Sequence, residues 1–348
     1  MSPIFKLPAI VLTCLMILFF ATTPARAQHG DYLLGTLAFD SASQPPQGLY
    51  YQNLWSYYHA SGSDFSAIGA LKCGPLDRVC LGLNVGGSGS LDLFADQNII
   101  GWTSPFKILR ASYGLLVDIP FVYADGSGAA SLQPILSFPR RTVSGSTLPS
   151  SGASTKGSIS TIYLQPLELG WHFPHLDAQI SSGVFMPSGG YNPQAKLNTG
   201  PGNAAGMFGL GVTPYPDVER TWSLSIYTHY VLYASQTGRP YTLGDVVPFE
   251  WGARKTFSLN NDLIKQITLG PVGYAQWQVT NGHISLSPTS QIGVSALNTL
   301  EQTHSAIYAA GPAINVLTKY GLVSLRYYEE FGAHATPSGR QLMFGVAF

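Results

Sequence analysis

The chain has 348 residues, of which 10% are charged, 12% are aromatic and 38 are glycine, and its formal net charge is zero. A soluble domain of average composition carries about 25% charged residues, so this chain cannot present an ordinary charged, water-facing surface. Basic residues are not clustered, which argues against a nucleic-acid partner. The composition leaves two classes open: a membrane-embedded β-structure and a secreted all-β protein with few charges.

The N-terminus has the pattern of a secretory signal peptide. Lys6 precedes an apolar run over residues 9–21, and Ala25-Arg26-Ala27 follows as an Ala-x-Ala cleavage site. We therefore predict a signal peptide over residues 1–27 that is cleaved before Gln28. No later stretch reaches the about 18 apolar residues that indicate a membrane helix. A closed β-sheet can still enter a bilayer, because closure satisfies every backbone hydrogen bond.

The mature chain is predicted to contain a short leading segment and one barrel domain. Residues 28–47 carry little periodic signal and end near Gln44-Pro45-Pro46, so they are interpreted as a periplasmic lead-in or as a plug. The barrel domain is assigned to residues 48–348. Its first run, residues 48–60, holds four tyrosines and one tryptophan. That density is typical of an interfacial aromatic girdle, although neither face can be assigned to the lumen.

Two cysteines remain in the mature chain, Cys73 and Cys80. In an exported protein, an even pair so close in sequence predicts one disulfide that closes a small loop. A metal site would need more ligands than this pair supplies, so no metal is predicted.

The N-terminal half gives strand candidates at residues 88–101, 110–124 and 130–138. Residues 140–157, rich in Ser, Thr and Gly, are predicted to form a long exposed loop. A second loop, residues 187–202, contains several prolines and glycines and is predicted to be extracellular, because bacterial barrels keep their long loops outside.

Between these loops, and after the second one, side chains alternate between apolar and polar. Tyr163 is assigned to the outward, apolar face of its strand, whereas Glu168 and Asp177 point inward. Later runs at 220–233 and 247–257 alternate in the same way, and further runs follow to the C-terminus. We assign these residues to the lumen face, as candidates for a ligand path: Glu168, Asp177, Tyr227, His229, Glu250, Arg254, Tyr274, Gln276, Arg326, Tyr328 and Glu330. Charged residues in a pore bias which solutes enter, but we favour the alternative in which acid–base pairs such as Glu250 with Arg254 form a satisfied structural network inside the barrel.

Two prolines complicate the C-terminal strands. Pro271 and Pro312 each lie within an otherwise strand-like run. Because proline removes a ladder hydrogen bond, each is predicted to mark a bulge or an edge. The candidates number about twelve or thirteen, and bacterial barrels have even strand numbers. The predicted fold is therefore an all-β, transmembrane antiparallel barrel of about 12 strands, with 14 as the alternative.

The last run alternates Phe344, Val346 and Phe348 with small or polar residues and ends on an aromatic residue. We interpret these three residues as a signal that the outer-membrane assembly machinery reads. Deleting Phe348 is expected to reduce the amount of folded protein in the outer membrane more than Phe344→Leu does. Heat-modifiable migration on gels of outer-membrane fractions measures both, and equal assembly would contradict the assignment.

Four segments carry a resemblance to a known family. They are the aromatic run from Pro46 to Tyr58, the run Leu164-Gln-Pro-Leu-Glu-Leu-Gly-Trp-His-Phe173, and the segments Gly273 to Thr280 and Leu325 to Gly332. With these segments the chain resembles the outer-membrane proteins of the phenol-degradation meta-pathway family, of the MetA type or SphA-like transporters. The resemblance implies a barrel that passes small hydrophobic or aromatic compounds across the outer membrane.

No nucleophile elbow or P-loop occurs in the sequence, so neither an enzyme nor a cofactor is predicted. The expected function is passive uptake of small hydrophobic or aromatic solutes by a monomer surrounded by outer-membrane lipid. The alternative is a structural or adhesive barrel whose surface loops carry its activity.

Overall fold

A computed structural model describes residues 31–61, 65–70, 80–138, 141–144, 148–195, 197–238, 241–284 and 304–348. The predicted signal peptide and Cys73 lie outside these ranges. Cys80 begins a strand, but its side chain also lies outside the described part, so the predicted disulfide stays a prediction. Within the described ranges, no helix has the length and apolar character needed to cross a membrane.

The described residues form strands over most of their length. The strands are β1 Gly48–Ser61, β2 Phe65–Ala70, β3 Cys80–Ile108, β4 Ala111–Phe138, β5 Arg141–Ser144, β6 Leu148–Ile159, β7 Ile162–Phe173, β8 Leu176–Met186, β9 Ala205–Pro214, β10 Trp222–Tyr233, β11 Tyr241–Thr242, β12 Val246–Ser258, β13 Ile264–Gln278, β14 His283–Ile284, β15 Ala306–Thr318, β16 Leu322–His334 and β17 Gly339–Ala347.

Among these strands, 12 close into an antiparallel barrel, which confirms the predicted fold class and strand number. Its order is β1-β3-β4-β7-β8-β9-β10-β12-β13-β15-β16-β17. β17 then pairs with β1, with Trp55 opposite Phe344, and closes the sheet. The Phe348 backbone N–H continues this ladder by donating to the Tyr51 carbonyl at 2.9 Å. Closure leaves no exposed sheet edge within the membrane, which is the condition for a β-structure in lipid.

The two ends of the barrel differ in the length of their connections. Residues 109–110 and 174–175 are short turns, and they lie at the same end as the start of β1 and the end of β17. The connections from β8 to β9 and from β13 to β15 are much longer in sequence, and they start and finish at the opposite end. Barrels of this class have short periplasmic turns and long extracellular loops, which sets the orientation of the chain in the membrane.

The extracellular part of the sheet differs from the prediction. The candidates at 110–124 and 130–138 are one strand, β4, which pairs with β3 as far as Ser137 and Cys80. The predicted loop at 140–157 contains β5 and β6, and both pair with β4. These Ser- and Gly-rich segments lack an apolar alternation, because a strand that continues above the membrane has no lipid face to mark it.

Within the barrel the apolar side chains face outward and many polar ones face inward. On β10, Leu224 and Leu232 are exposed, whereas Ser225 and His229 are buried. β9 was not predicted from the sequence, and its outward Leu210 is 57% exposed. This arrangement is the inverse of a soluble protein and is characteristic of transmembrane barrels.

One strand changes its phase midway, and this corrects the assignment of Tyr163. The β7–β8 register shifts between Leu164 and Leu167, next to Pro166. The proline has no N–H to donate, so the ladder takes up a bulge here. Consequently Tyr163 faces the lumen and is only 6% exposed, whereas Glu168 beyond the bulge faces the lumen as predicted.

The two prolines that were predicted to mark a bulge or an edge lie next to each other in the barrel wall. Pro271 on β13 is directly opposite Pro312 on β15, and both are exposed toward lipid. Neither forms a bulge or an edge. The β12–β13 ladder instead omits the pairs at Gly270 and Pro271, and the β15–β16 ladder omits those at Gly311 and Pro312. Each missing proline N–H thus interrupts the ladder with a different neighbouring strand.

The glycines before these prolines are predicted to be required. A methyl group on Gly270 would overlap the Ala253 carbonyl oxygen, and one on Gly311 would overlap that of Tyr327. We expect Gly270→Ala or Gly311→Ala to lower the free energy of unfolding by about 1–3 kcal/mol, as overpacking does.

The matched control for these variants is Gly206→Ala, since a methyl group there would lie 3.8 Å from the nearest Leu232 side-chain carbon. It should change stability by less than about 0.5 kcal/mol. Urea unfolding of the three variants in liposomes makes the comparison, and equal stability of all three would contradict a required close approach.

Candidate functional site in the barrel lumen

Residues 31–47, here called the luminal segment, lie inside the barrel. Their side chains and backbone contact strands from around the wall, including Glu250 on β12, Arg326 on β16 and Asp177 on β8. Gly35 has a φ of 84° and sits against the Tyr328 ring, where a methyl group would approach a ring carbon to 2.8 Å. Glycine therefore lets the segment bend close to the wall at this point.

The middle of the luminal segment is held by a buried acid and a buried base. Glu250 accepts a hydrogen bond from the Tyr32 hydroxyl at 2.7 Å and one from the Gly35 N–H at 3.1 Å. Arg326 donates to the Gly35 carbonyl at 3.0 Å and to the Thr36 carbonyl at 2.5 Å. The Tyr328 hydroxyl donates to the same Gly35 carbonyl at 3.2 Å. Lumen-facing polar groups of the wall thus satisfy the backbone of an irregular segment.

The suggested pairing of Glu250 with Arg254 is wrong. Arg254 instead forms an ion pair with Asp40 of the luminal segment, with 2.7 Å between Nε and Oδ2. Ser223 donates to the other oxygen of Asp40, also at 2.7 Å. Arg254 therefore forms its ion pair with Asp40, and Glu250 accepts a hydrogen bond from the Tyr32 hydroxyl instead.

Asp177 anchors the periplasmic end of the luminal segment. It is fully buried, and the Ser43 hydroxyl of the segment donates to it. Arg220 donates to both of its oxygens at 3.1 and 3.2 Å, and the Tyr215 hydroxyl donates at 3.0 Å. His172 Nδ1 lies 3.1 Å from the same carboxylate. One buried carboxylate therefore joins the luminal segment, two strands and a periplasmic turn.

The periplasmic turn that contains Arg220 is stabilised by hydrogen bonds to Asp217. Arg220 has a φ of 55°, a strained conformation for a residue with a side chain. Asp217 holds this turn by accepting hydrogen bonds from the backbone N–H groups of Thr221 and Trp222 at 2.8 and 2.9 Å. The Thr221 hydroxyl, together with these N–H groups, lowers the pKa of Asp217 to about 2. The turn thus directs the Arg220 guanidinium back to Asp177, over the Tyr215 ring.

Nearer the extracellular end, Glu330 is the centre of a third polar cluster. The hydroxyls of Tyr58 and Tyr274 each donate to it at 2.8 Å, and the Gly339 N–H donates at 2.7 Å. Gln276 lies on the same strand as Tyr274 and is also buried. Glu330 on β16 therefore links its own strand to three others, β1, β13 and β17.

The remaining predicted residues lie on the other side of the lumen. Glu168 accepts from Gln165 at 2.6 Å, and the Tyr163 hydroxyl donates to Gln165 at 3.0 Å. Tyr227 shares a 2.9 Å hydrogen bond with Ser181, and its ring lies 4.8 Å from that of His229. The His229 ring is also 4.7 Å from that of Tyr32. The inward aromatic residues thus form a surface that the luminal segment completes.

A cavity of about 1120 Å³ remains between the luminal segment and the wall. Its lining extends from Val122 and Ser160 in the extracellular half to Lys319 and Phe348 at the periplasmic end. Apolar side chains such as Ile99, Leu116, Val122, Phe185 and Met207 share this lining with polar ones. Because the luminal segment occupies many polar groups of the wall, the open part of the lumen is partly apolar.

Several lumen residues could not be found by strand alternation. Tyr32, Asp40 and Ser43 belong to a segment without periodicity, and Arg220 lies in a turn. Asp118 is on the inward face of β4 and lines the cavity. Asp118 alternates with the outward-facing Val117 and Ile119, so the sequence alone could have assigned it to the lumen.

The fold and the occupied lumen define a closed antiparallel barrel of the outer-membrane type. The chain belongs to the Phenol_MetA_deg family, described as the MetA-pathway of phenol degradation, whose model matches residues 79–345.

One solved structure agrees with this assignment at the level of the fold, and a second is reported for comparison only. The COG4313 outer membrane channel from Pseudomonas putida F1 is similar with a TM-score of 0.55 and 12% identity, over 90% of this chain and 100% of that chain. A Pseudomonas aeruginosa FadL homologue matches with a TM-score of 0.38 and 9% identity, over 86% of this chain and 90% of that one. No curated protein matches the sequence.

Proposed function

We propose that this protein is a passive outer-membrane channel for small hydrophobic or aromatic compounds. The observation that carries the proposal is the partly apolar cavity of about 1120 Å³ beside the luminal segment. Membership of the phenol-degradation family and the similarity to the COG4313 outer membrane channel support the same function.

The lining residues suggest how an aromatic solute would be favoured over a sugar. Tyr50, Tyr163 and Phe185 line the cavity, together with aliphatic side chains. Transfer of apolar surface from water gains about 25 cal/mol per Å². A sugar of similar size would lose hydrogen bonds to water, and Glu250, Arg254 and Arg326, which could replace some of them, are already engaged by the luminal segment. Movement would be down a gradient and would need no cofactor.

The test is solute flux into liposomes whose outer leaflet is lipopolysaccharide, since that leaflet is a poor solvent for phenols. We expect influx of phenol and toluene to be faster with the protein than without it, and influx of a hexose to change little. Flux of phenol and toluene equal to that of protein-free liposomes would refute the channel.

A structural or adhesive barrel is the second candidate. One observation favours it: β2, β5 and β6 extend the sheet on the extracellular side beyond the barrel strands. In addition, Leu197 from the 187–204 connection is buried against Leu91 and Leu93. This candidate gains support if the flux assay fails while cells carrying the protein adhere to surfaces or to each other.

Export and assembly complete the proposal. The signal peptide over residues 1–27, the Cys73–Cys80 disulfide and the C-terminal assembly signal would bring a monomer to the outer membrane. Mass spectrometry of the purified protein tests the first two, because cleavage before Gln28 and loss of two thiol hydrogens each have a defined mass.

A further inference from the structure

A recess in the extracellular half of the cavity contains two carboxylates that have no cationic partner among the residues that the structure describes. Asp118 on β4 and Asp31 on the luminal segment both line the cavity. Asp118 is 9% exposed, and its Oδ2 accepts from Gln97 at 2.8 Å, whereas its Oδ1 has no hydrogen-bond partner in the described part of the chain. The Asp31 oxygens are also buried and have the Thr161 hydroxyl beside them, but no well-formed hydrogen bond among the described residues. A buried carboxylate is costly unless a donor or a cation meets it.

The basic side chains that line the cavity are engaged elsewhere. Arg220 pairs with Asp177, Arg254 pairs with Asp40, and Arg326 donates to the Gly35 and Thr36 carbonyls. Lys319 lies at the periplasmic end, over the Tyr320 ring. Among the described residues, none of these basic side chains pairs with the carboxylates of the extracellular recess.

Two aromatic residues lie next to Asp118 in the neighbouring strands. Tyr163 on β7 pairs directly with Asp118 across the β4–β7 ladder. Phe185 on β8 pairs with Tyr163, and their ring centroids are 4.5 Å apart. Thr161, two residues from Tyr163, also lines the cavity and adds a buried hydroxyl. A carboxylate next to aromatic faces is the combination that recognises an organic cation.

We propose that this recess, formed by Asp31, Asp118, Thr161, Tyr163 and Phe185, binds the protonated amino group of an amine-bearing hydrophobic solute. The proposal rests on the proposed channel function and names a substrate class for it. An ammonium group supplies both the positive charge and the three donors that the recess lacks. The aliphatic lining at Leu116 and Val122 would hold the apolar body of the same solute.

Three soluble ligands of matched shape test the assignment: 2-phenylethylammonium, 2-phenylethanol and 3-phenylpropanoate. We expect calorimetry on the full-length protein in nanodiscs to show the amine binding about tenfold more tightly than the alcohol, as a charged hydrogen bond allows. The carboxylate should bind most weakly. Equal binding of amine and alcohol would overturn the proposal.

The matched variants are Asp118→Asn and Asp125→Asn. Both residues are on β4, but Asp125 is exposed and accepts a hydrogen bond from Thr155 outside the cavity. Asp118→Asn should remove the preference for the amine, and Asp125→Asn should retain it. Heat-modifiable migration verifies that both variants are folded. An unchanged preference in folded Asp118→Asn would also overturn the proposal.

Flux measurements separate this proposal from the channel itself. If 2-phenylethanol enters lipopolysaccharide-containing liposomes but the amine preference is absent, only the recess assignment fails. If the preference is present but no solute enters, the channel function fails and the binding site stands.

Discussion

Replacing Asp177 by alanine is expected to lower the free energy of unfolding of the barrel by about 3 kcal/mol, the lower end of the range for a broken buried pair. The variant leaves the Arg220 guanidinium, the Tyr215 hydroxyl and Ser43 without their shared acceptor. The lower end applies because the Arg220 side chain is 35% exposed and water can solvate part of it. Denaturant unfolding in liposomes, followed by the shift in gel migration, measures the loss.

The control for this variant is Asp262→Ala. Asp262 is an exposed carboxylate in the turn between β12 and β13, and its removal should change stability by less than about 0.5 kcal/mol. A comparable loss in both variants would mean that Asp177 is not the structural centre that its contacts indicate.

Deleting residues 31–43 is expected to increase single-channel conductance several-fold and to admit hexoses. The luminal segment occupies the centre of the barrel, so its removal would widen the water-filled path. Planar bilayer recordings measure the conductance, and liposome swelling measures the hexose flux. Unchanged conductance would mean that the segment does not limit the path.

A reversible cross-link provides a control in which no residue is deleted. Asp40 Oδ1 and Ser223 Oγ are 2.7 Å apart, so these contacting positions are chosen for a cysteine pair, and thiol titration verifies that the disulfide forms. Cys73 and Cys80 would be replaced by serine in the same chain. The oxidised Asp40→Cys/Ser223→Cys variant should show the low conductance of the wild type. Reduction should raise the conductance, because the variant already lacks the Asp40–Arg254 ion pair and breaking the disulfide removes the remaining tie between the segment and the wall at this point.

The barrel was predictable from the sequence because every membrane-spanning strand meets the same two environments. Lipid outside and a polar interior impose a period of two, and this places Tyr227 and His229 correctly on β10. The period failed where a proline altered the ladder: Pro166 inserted a bulge and turned Tyr163 from the assigned lipid face to the lumen. The alternation of apolar and polar side chains also gave no signal above the membrane, because β5 and β6 have no face that contacts lipid.

The candidate site was predictable only in part, because half of it belongs to a segment without secondary structure. Alternation identified Glu250, Arg254 and Arg326 as inward, but it could not show that Asp40 and the Gly35 carbonyl would be their partners. Contacts between an irregular segment and a distant part of the chain depend on how the segment enters the lumen. The local sequence pattern of the segment does not predict that route.

The central claim is that solutes pass through the lumen beside the luminal segment. Its most direct test places one cysteine in the cavity lining, Ser324→Cys, and one on the lipid face of the same strand, Leu325→Cys, both with Cys73 and Cys80 replaced by serine. Each is treated with a bulky thiol reagent, and phenol flux is measured in lipopolysaccharide-containing liposomes. We predict that labelling residue 324 reduces flux to the protein-free level and that labelling residue 325 leaves it unchanged. Equal flux through both labelled proteins would contradict a luminal path.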